Sequence, residues 1–400
     1  MQELEYGKGW VRDSLDPRDM LFAAQPETLA NLPTNVDLGP FPPIYDQGRT
    51  GCHDDQTDIL TDDGWIRWSD YDGLAPLATV SPITLGLEFQ QPTALQRFEY
   101  DGPMHYIDHA SLSFGLTPGH RMFERRWNER KRTLQEEFDF REIQDIGWYT
   151  GLLTAPQSYI GAELIQLRIG QRSWRGDDLI ALLAVVLSDG WVGGTDENWN
   201  AISFCCFRAD RRPMVSGLAA RLGIHEMPSR PGVWKFTDAA LADWLRANVF
   251  TESTYRSPYK RVPTLVKEST AHQLALFLRF YGDQHVSHSG QRTFYSSSRR
   301  MADDIQALLL CIGKRSSMHE RPPRLAVMTD GREIHSSNPS FEVYEQQTEQ
   351  LSIERRRQIE IEHYHGQVFC ATVPNSTLIT RRNGKVLISG NSCTAQAGAA

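Results

Sequence analysis

The chain has no long apolar run. Its longest, residues 179–187 and 307–312, fall far short of the roughly 20 residues that a membrane helix needs, which excludes a helical span. The first residues, Met-Gln-Glu-Leu-Glu-Tyr, offer neither a basic start nor an apolar stretch, so no signal peptide is expected and the expected compartment is the cytosol. Cysteine is scarce. The six, at 52, 205, 206, 311, 370 and 393, form no CxxC pair and no Cys/His spacing of the zinc type, which argues against a disulfide framework or a structural zinc. Overall positive charge is missing too: 42 Lys+Arg stand against 50 Asp+Glu, a net charge of -8 that argues against wholesale nucleic-acid binding. The balance is uneven, however. Residues 170–320 carry 19 Lys+Arg against 15 Asp+Glu, so a weak signal for phosphate contact is confined to the middle.

What remains is an ordinary globular composition, 40% hydrophobic over 400 residues, enough for two or three domains. Residues 1–51 are rich in proline and turn-forming pairs and read as extended, irregular chain. From Cys52 the texture changes to short apolar runs broken by Asp-Gly and Pro, as in Ile59-Leu-Thr-Asp-Asp-Gly-Trp65, which predicts many short strands. Helical pattern begins at Asp177, an acidic start followed by an apolar run that ends at Gly190. Strand-like Trp199–Arg208 and a helix over 213–222 follow. A second helix over 269–281, a strand over 293–297 and a helix over 300–312 make the middle two similar α/β units in tandem. The stretch from Glu320 to Arg357 is polar and charged. Strand pattern returns over 367–388, interrupted by the hairpin signal Asn383-Gly384.

The two ends read as one interrupted sentence. Joining Tyr45-Asp-Gln-Gly-Arg-Thr-Gly51 to Ser392-Cys-Thr-Ala-Gln-Ala397 creates a segment that neither half contains. It resembles the active-site segment of bacterial papain-like cysteine peptidases, which implies Gln47 as oxyanion donor and Cys393 as nucleophile. The resemblance lacks the downstream His and Asn of that family, and a thiolate needs a partner base, so no peptidase is expected to work in the chain as it stands.

The residues at the seams carry the chemistry that excision needs. Cys52 supplies a thiol able to attack the preceding carbonyl, Ser392 a second nucleophile to take over the acyl chain, and Asn391 a carboxamide able to cyclise and break its own peptide bond. The insert resembles an intein. Cys52-His-Asp-Asp-Gln-Thr-Asp-Ile-Leu-Thr-Asp-Asp-Gly-Trp65 is similar to the first splicing block and Leu116-Thr-Pro-Gly-His120 to the TxxH block; Gln367-Val-Phe-Cys-Ala-Thr-Val-Pro374 and Arg381-Arg-Asn-Gly-Lys-Val-Leu-Ile-Ser-Gly-Asn391 are similar to the two C-terminal blocks. The resemblance implies that Thr117 and His120 hold and polarise the Gly51–Cys52 peptide and protonate the departing amine, and that Cys370 assists the branched intermediate. One departure stands out. Most inteins carry His before the terminal Asn, whereas this chain has Gly390, leaving His363 or His365 as substitutes, or a branch that manages without one.

In the middle, Leu182-Leu-Ala-Val-Val-Leu-Ser-Asp-Gly190 and Leu276-Phe-Leu-Arg-Phe-Tyr-Gly-Asp-Gln284 are similar to the two LAGLIDADG motifs of homing endonucleases. That resemblance implies paired helices bringing Asp189 and Asp283 together to hold Mg²⁺ against double-stranded DNA, with Arg208, Arg211, Arg292 and Arg299 as candidate phosphate or base contacts. Gln284 stands where that family has Gly, so a decayed nuclease that keeps its fold is a second reading. The expected architecture is a mainly β splicing horseshoe, residues 52–160 and 335–391, with an inserted α/β endonuclease-type domain of two tandem units over 161–334. Residues 1–51 and 392–400 are host flanks, and a monomer is expected, since splicing is intramolecular. Two rival readings are a DNA-binding regulatory protein with fortuitous seam motifs, and a cysteine peptidase carrying an inserted domain.

Overall fold

The computed structural model describes residues 51–391, apart from 194–198, 254, 283–284, 287–290, 324, 328–332, 336 and 347–350. This part of the chain is mainly β. Its first portion runs through strands β1 (Thr57–Leu60), β2 (Ala94–Asp108), β3 (Ser113–Leu116), β4 (Arg121–Asn128) and β5 (Tyr149–Leu152). Over its outer half β2 alternates between exposed and half-buried residues, the period-2 signature of a strand with one covered face.

The middle carries α1 (Gly176–Asp189), β6 (Gly190–Val192), β7 (Ala201–Cys205), α2 (Arg212–Leu222), β8 (Val233–Thr237) and α3 (Ala239–Val249). It then repeats the theme with α4 (Ala271–Tyr281), β9 (His285–Val286), β10 (Arg292–Ser296), α5 (Arg299–Cys311), β11 (Ser316–Arg321) and β12 (Ser340–Glu345). Helix α1 opens on Asp177 and Asp178, acids that favour a helix N-terminus. Every residue from Leu179 to Leu187 is buried, so this helix is apolar all round and lies inside the core rather than on it. It packs against α4, and Gln273 at the start of α4 donates to Asp177 Oδ1 at 2.9 Å and to the Leu164 carbonyl at 2.8 Å. Thr270 caps α4 by accepting from Gln273 N. The helix α3, capped by Asp238, goes beyond the sequence reading.

The polar stretch after Glu320 contains more structure than its composition suggests. In β12 the apolar Phe341 and Val343 alternate into the core beneath polar neighbours, and β12 lies between β10 and β11. The sheet of the second unit therefore continues to Glu345. The chain then forms β13 (Leu351–Glu354), β14 (Glu360–Thr372), β15 (Thr377–Arg382) and β16 (Lys385–Gly390). β14 pairs with β2 along its whole length, from Glu360↔Tyr106 to Thr372↔Ala94. Asn383 (φ 48°) and Gly384 (φ 74°) both adopt left-handed backbone, as an Asn-Gly hairpin between β15 and β16 requires.

Two parts of the fold share one eight-stranded sheet, in the order β9-β10-β12-β11-β16-β15-β1 and then the strand Trp65–Arg67. The junction lies between β11 and β16, where Met318 N donates to the Gly384 carbonyl at 2.9 Å; a Cβ at Gly384 would fall 2.0 Å from the Met318 oxygen. Beneath it the buried Arg381 bonds Asp58 at 2.8 Å, Asp303 at 2.5 Å and Gln306 at 3.0 Å, with its guanidinium 4.5 Å from the Trp65 ring. No described helix is long and apolar enough to cross a membrane.

Removing Arg381 leaves Asp58 and Asp303 facing each other across this seam with only Arg67 and Arg299 in support. Arg381→Ala is expected to destabilise the chain by about 3 kcal/mol, the lower end for breaking a buried ion pair. A urea unfolding curve checks this, with a first transition unmoved from the parent's as the contrary result.

Candidate active site

The segment that begins with Cys52 is gripped on both sides. His53 exchanges backbone hydrogen bonds with Phe369 of β14 at 2.8 and 2.9 Å, and Asp54 N donates to the Gly115 carbonyl of β3 at 3.1 Å. Cys52 itself is buried, and its amide donates to Thr117 Oγ1 at 2.8 Å while its carbonyl accepts from Thr117 N at 3.0 Å. Thr117 thus holds the nitrogen of the Gly51–Cys52 peptide. In the antiparallel pairing His53↔Phe369 the register sets Cys52 opposite Cys370, which is buried in the same cluster.

His120 follows Thr117 on one tight turn, its amide donating to the Thr117 carbonyl at 3.0 Å. Its ring is wholly buried, stands 4.5 Å edge-on to the ring of His53, and meets Ser389 Oγ through Nε2 at 2.9 Å. Burial lowers its pKa to about 3; the Gly51 backbone opposes that shift and the Arg121 charge adds to it. His53 is lowered well below its usual value by burial and by His120. Gly51 lies against this turn so closely that a Cβ there would fall 2.4 Å from His120 Cα.

The other seam reaches the same place. Asn391 is buried at the end of β16, with its amide donating to the Ser376 carbonyl at 2.9 Å and Nδ2 to the Val373 carbonyl at 3.2 Å. Arg121, the residue after His120, donates from Nε to the Asn391 carbonyl at 3.1 Å and from Nη2 to Asn391 Oδ1 at 2.8 Å. Its guanidinium lies over Phe140, 4.8 Å from the ring centre. A Cβ at Gly390 would fall 2.8 Å from Arg121 Cβ and from its carbonyl oxygen. A side chain at 390 therefore has no room unless Arg121 shifts.

Cys52, Thr117, His120, Cys370 and Asn391 therefore converge, while Ser392, Cys393 and Gln47 lie outside the described residues. His363 and His365 are exposed on β14 and paired with Asp101, at 2.7 and 3.5 Å, so they are engaged at the surface and not at the seam. The sequence reading missed Arg121 and Ser389. The one signal for Arg121 was its place directly after the TxxH histidine in a chain that has Gly390 before Asn391.

In the middle, Asp189 ends α1 with its side chain about a third exposed, whereas Asp283 lies outside the described residues. Arg211 is corrected from a DNA contact to an interior residue: its Nη2 donates to the carbonyls of Phe280 at 2.7 Å and Tyr281 at 3.3 Å, at the end of α4, and its Nη1 lies 3.8 Å from Asp189. Gly282, at φ 96°, leaves the space that this guanidinium fills. Lys260, also missed in the sequence, caps α1 by donating to the carbonyls of Leu187 and Gly190, each at 3.0 Å, with a pKa lowered by burial to about 8. Arg208 pairs with Asp210, Arg292 with Glu345 and Arg299 with Asp303, so each of these arginines has an internal carboxylate to leave before it can meet phosphate. Among the described residues no group of three or more His, Cys, Asp or Glu side chains could hold a metal ion.

No protein-family model matches the chain. A curated protein, the ATP-dependent Clp protease proteolytic subunit of Chlamydomonas moewusii, is 27% identical over 88 residues, which is 22% of this chain and 8% of that protein. Among solved structures, a splice-inactive variant of the AceL NrdHF class 3 split intein aligns with 86% of this chain and 99% of its own, at 7% identity and a TM-score of 0.29, a likeness too loose to carry an argument.

The buried rings impose an acid limit. His120 titrates near 6.5 when unfolded and near 3 when folded, so between those values the unfolded chain binds more protons; stability present above pH 6.5 is lost as pH falls through that window. Melting temperature against pH should decline between 6.5 and 4.5, and His120→Gln should flatten the decline. Equal slopes in both proteins would contradict a neutral buried ring.

Proposed function

We propose that the chain is a self-splicing precursor of the intein type, which excises residues 52–391 and joins Gly51 to Ser392. One observation carries the reading: a single turn meets both seams, with Thr117 holding the Cys52 amide, Gly51 packed against the His120 backbone, His120 bonding Ser389 and Arg121 bonding Asn391.

In the first step the Cys52 thiol attacks the Gly51 carbonyl carbon, a C–S bond forms, the Gly51–Cys52 C–N bond breaks, and the thiol proton ends on the Cys52 amine. Thr117 holds that nitrogen, and the neutral His120 ring passes the proton. The Ser392 hydroxyl then takes the acyl group from sulfur and returns the thiol, with Cys370 beside Cys52 on the neighbouring strand. Asn391 Nδ2 next attacks the Asn391 carbonyl carbon, closing a succinimide and releasing the Ser392 amine. Arg121 acts at this step. Its Nε donates to the oxygen that becomes negative, and its Nη2 holds Oδ1 so that Nδ2 is presented to the carbon. An acyl shift from oxygen to nitrogen leaves a peptide bond between Gly51 and Ser392. The joined product would set Gln47 beside Cys393, the beginning of a papain-like peptidase site.

The middle is read as an endonuclease-type unit for double-stranded DNA at its homing site. Packed helices α1 and α4, each followed by an antiparallel pair of strands and a helix, support it. Asp189 and Asp283 would hold Mg²⁺, which when bound polarises a phosphate and activates water. Asp189 is exposed enough to serve, but Arg211 would have to yield it, which favours weak or lost cleavage over robust cleavage. Asp189→Asn should abolish any Mg²⁺-dependent cutting; binding to duplex DNA without cutting in the parent supports the decayed form.

Splicing is tested by mass spectrometry of the expressed chain. A fragment from Cys52 to a C-terminal succinimide, one water lighter than the free acid, is expected, and Cys52→Ala with Asn391→Ala should leave the precursor intact. Release of the fragment from that double variant would overturn the proposal. Arg121→Ala should slow cleavage after Asn391 by about 10²–10³-fold, the usual cost of removing one oxyanion donor, while thiol-induced cleavage after Gly51 continues.

A further inference from the structure

Ser389 has no role in the chemistry so far. It is fully buried on β16, two residues before Asn391, and its hydroxyl meets His120 Nε2 at 2.9 Å. The ring nitrogen left for the first seam is Nδ1. It is buried and makes no hydrogen bond of ordinary geometry; Gly51 packs against the His120 backbone, and a ring hydrogen bond to the Gly51 backbone opposes the lowering of the ring's pKa, as a ring N–H directed at a carbonyl does.

A hydroxyl can donate or accept, whereas each nitrogen of a neutral imidazole does one or the other. With the proton on Nε2, the Nδ1 lone pair would face the Gly51 carbonyl, two acceptors opposed in a fully buried site. With the proton on Nδ1, the ring donates toward that carbonyl and Nε2 accepts from Ser389. Only the second arrangement satisfies all three groups. Resting on the splicing reading, we propose that Ser389 is a positioning residue for the first step: its hydroxyl holds His120 in the Nδ1–H tautomer that polarises the Gly51 carbonyl. Because Ser389 lies on β16 and Asn391 follows it directly, a displaced C-terminal strand also withdraws the group that readies the N-terminal seam.

The test has two arms. Long-range proton–nitrogen NMR correlations of His120, recorded in the chain carrying Cys52→Ala and Asn391→Ala so that no splicing is needed, should report Nδ1–H with Ser389 present, a mixed or Nε2–H ring in Ser389→Ala, and Nδ1–H again in Ser389→Thr. In the reactive chain, Ser389→Ala should slow thiol-induced cleavage after Gly51 by about tenfold or more, with Ser389→Thr restoring most of the rate. An Nε2–H ring in the parent, or an unchanged tautomer and rate in Ser389→Ala, overturns the assignment. If Ser389→Ala fails to fold, the parent and Ser389→Thr tautomers still decide. A parent that shows the Nδ1–H ring but never cleaves counts against splicing and not against the positioning role.

Discussion

One turn of backbone organises the molecule: Thr117 to Arg121, held because the His120 amide donates to the Thr117 carbonyl. Thr117 grips the amide of Cys52, His120 reaches Ser389, and Arg121 reaches Asn391. Residues more than three hundred positions apart in the chain are thereby brought to neighbouring side chains. Holding distant groups together in this way removes much of the entropic barrier to any reaction between them.

The surrounding fold fixes that turn by long-range pairing. β14 lies along β2 from end to end, and the Cys52 segment is inserted between β14 and β3, so Cys52 cannot shift without breaking these pairings. The shared sheet extends the constraint to the middle of the chain. Arg381 and Gly384 tie β15 and β16, which carry the second seam, to α5 and β11. A buried guanidinium bonded to two carboxylates is weak evidence for net stability, but it specifies one arrangement strictly, since any slip strands a charge.

Local pattern made much of this legible. The apolar run of α1 with its acidic start, the Asn383-Gly384 hairpin, and the short strands after Cys52 each follow from chemistry within a few residues. So did the members of the first seam, because Thr117 and His120 are close in sequence. Partnerships set by topology were not legible. Nothing near Arg121 points to Asn391, and nothing near Lys260 points to the end of α1; a basic residue gives no hint whether it will meet water, phosphate or a helix carbonyl. Arg211 shows the same limit. It reads as a surface cation and is an interior one, because Gly282 leaves a space that only the folded backbone defines.

Both seams are preceded by glycine, and the reason is the same at each. A Cβ at Gly51 would strike the His120 backbone and a Cβ at Gly390 the Arg121 side chain and carbonyl, at 2.4 and 2.8 Å. At the second seam the missing side chain and the arginine are complementary: Arg121, at the start of β4, reaches the Asn391 carbonyl and Oδ1 beside the position where Gly390 carries no side chain. On the proposed splicing reading Arg121 stays with the turn that also holds the first seam while the strand beyond Asn391 departs, which suits a group that stabilises charge on a breaking bond.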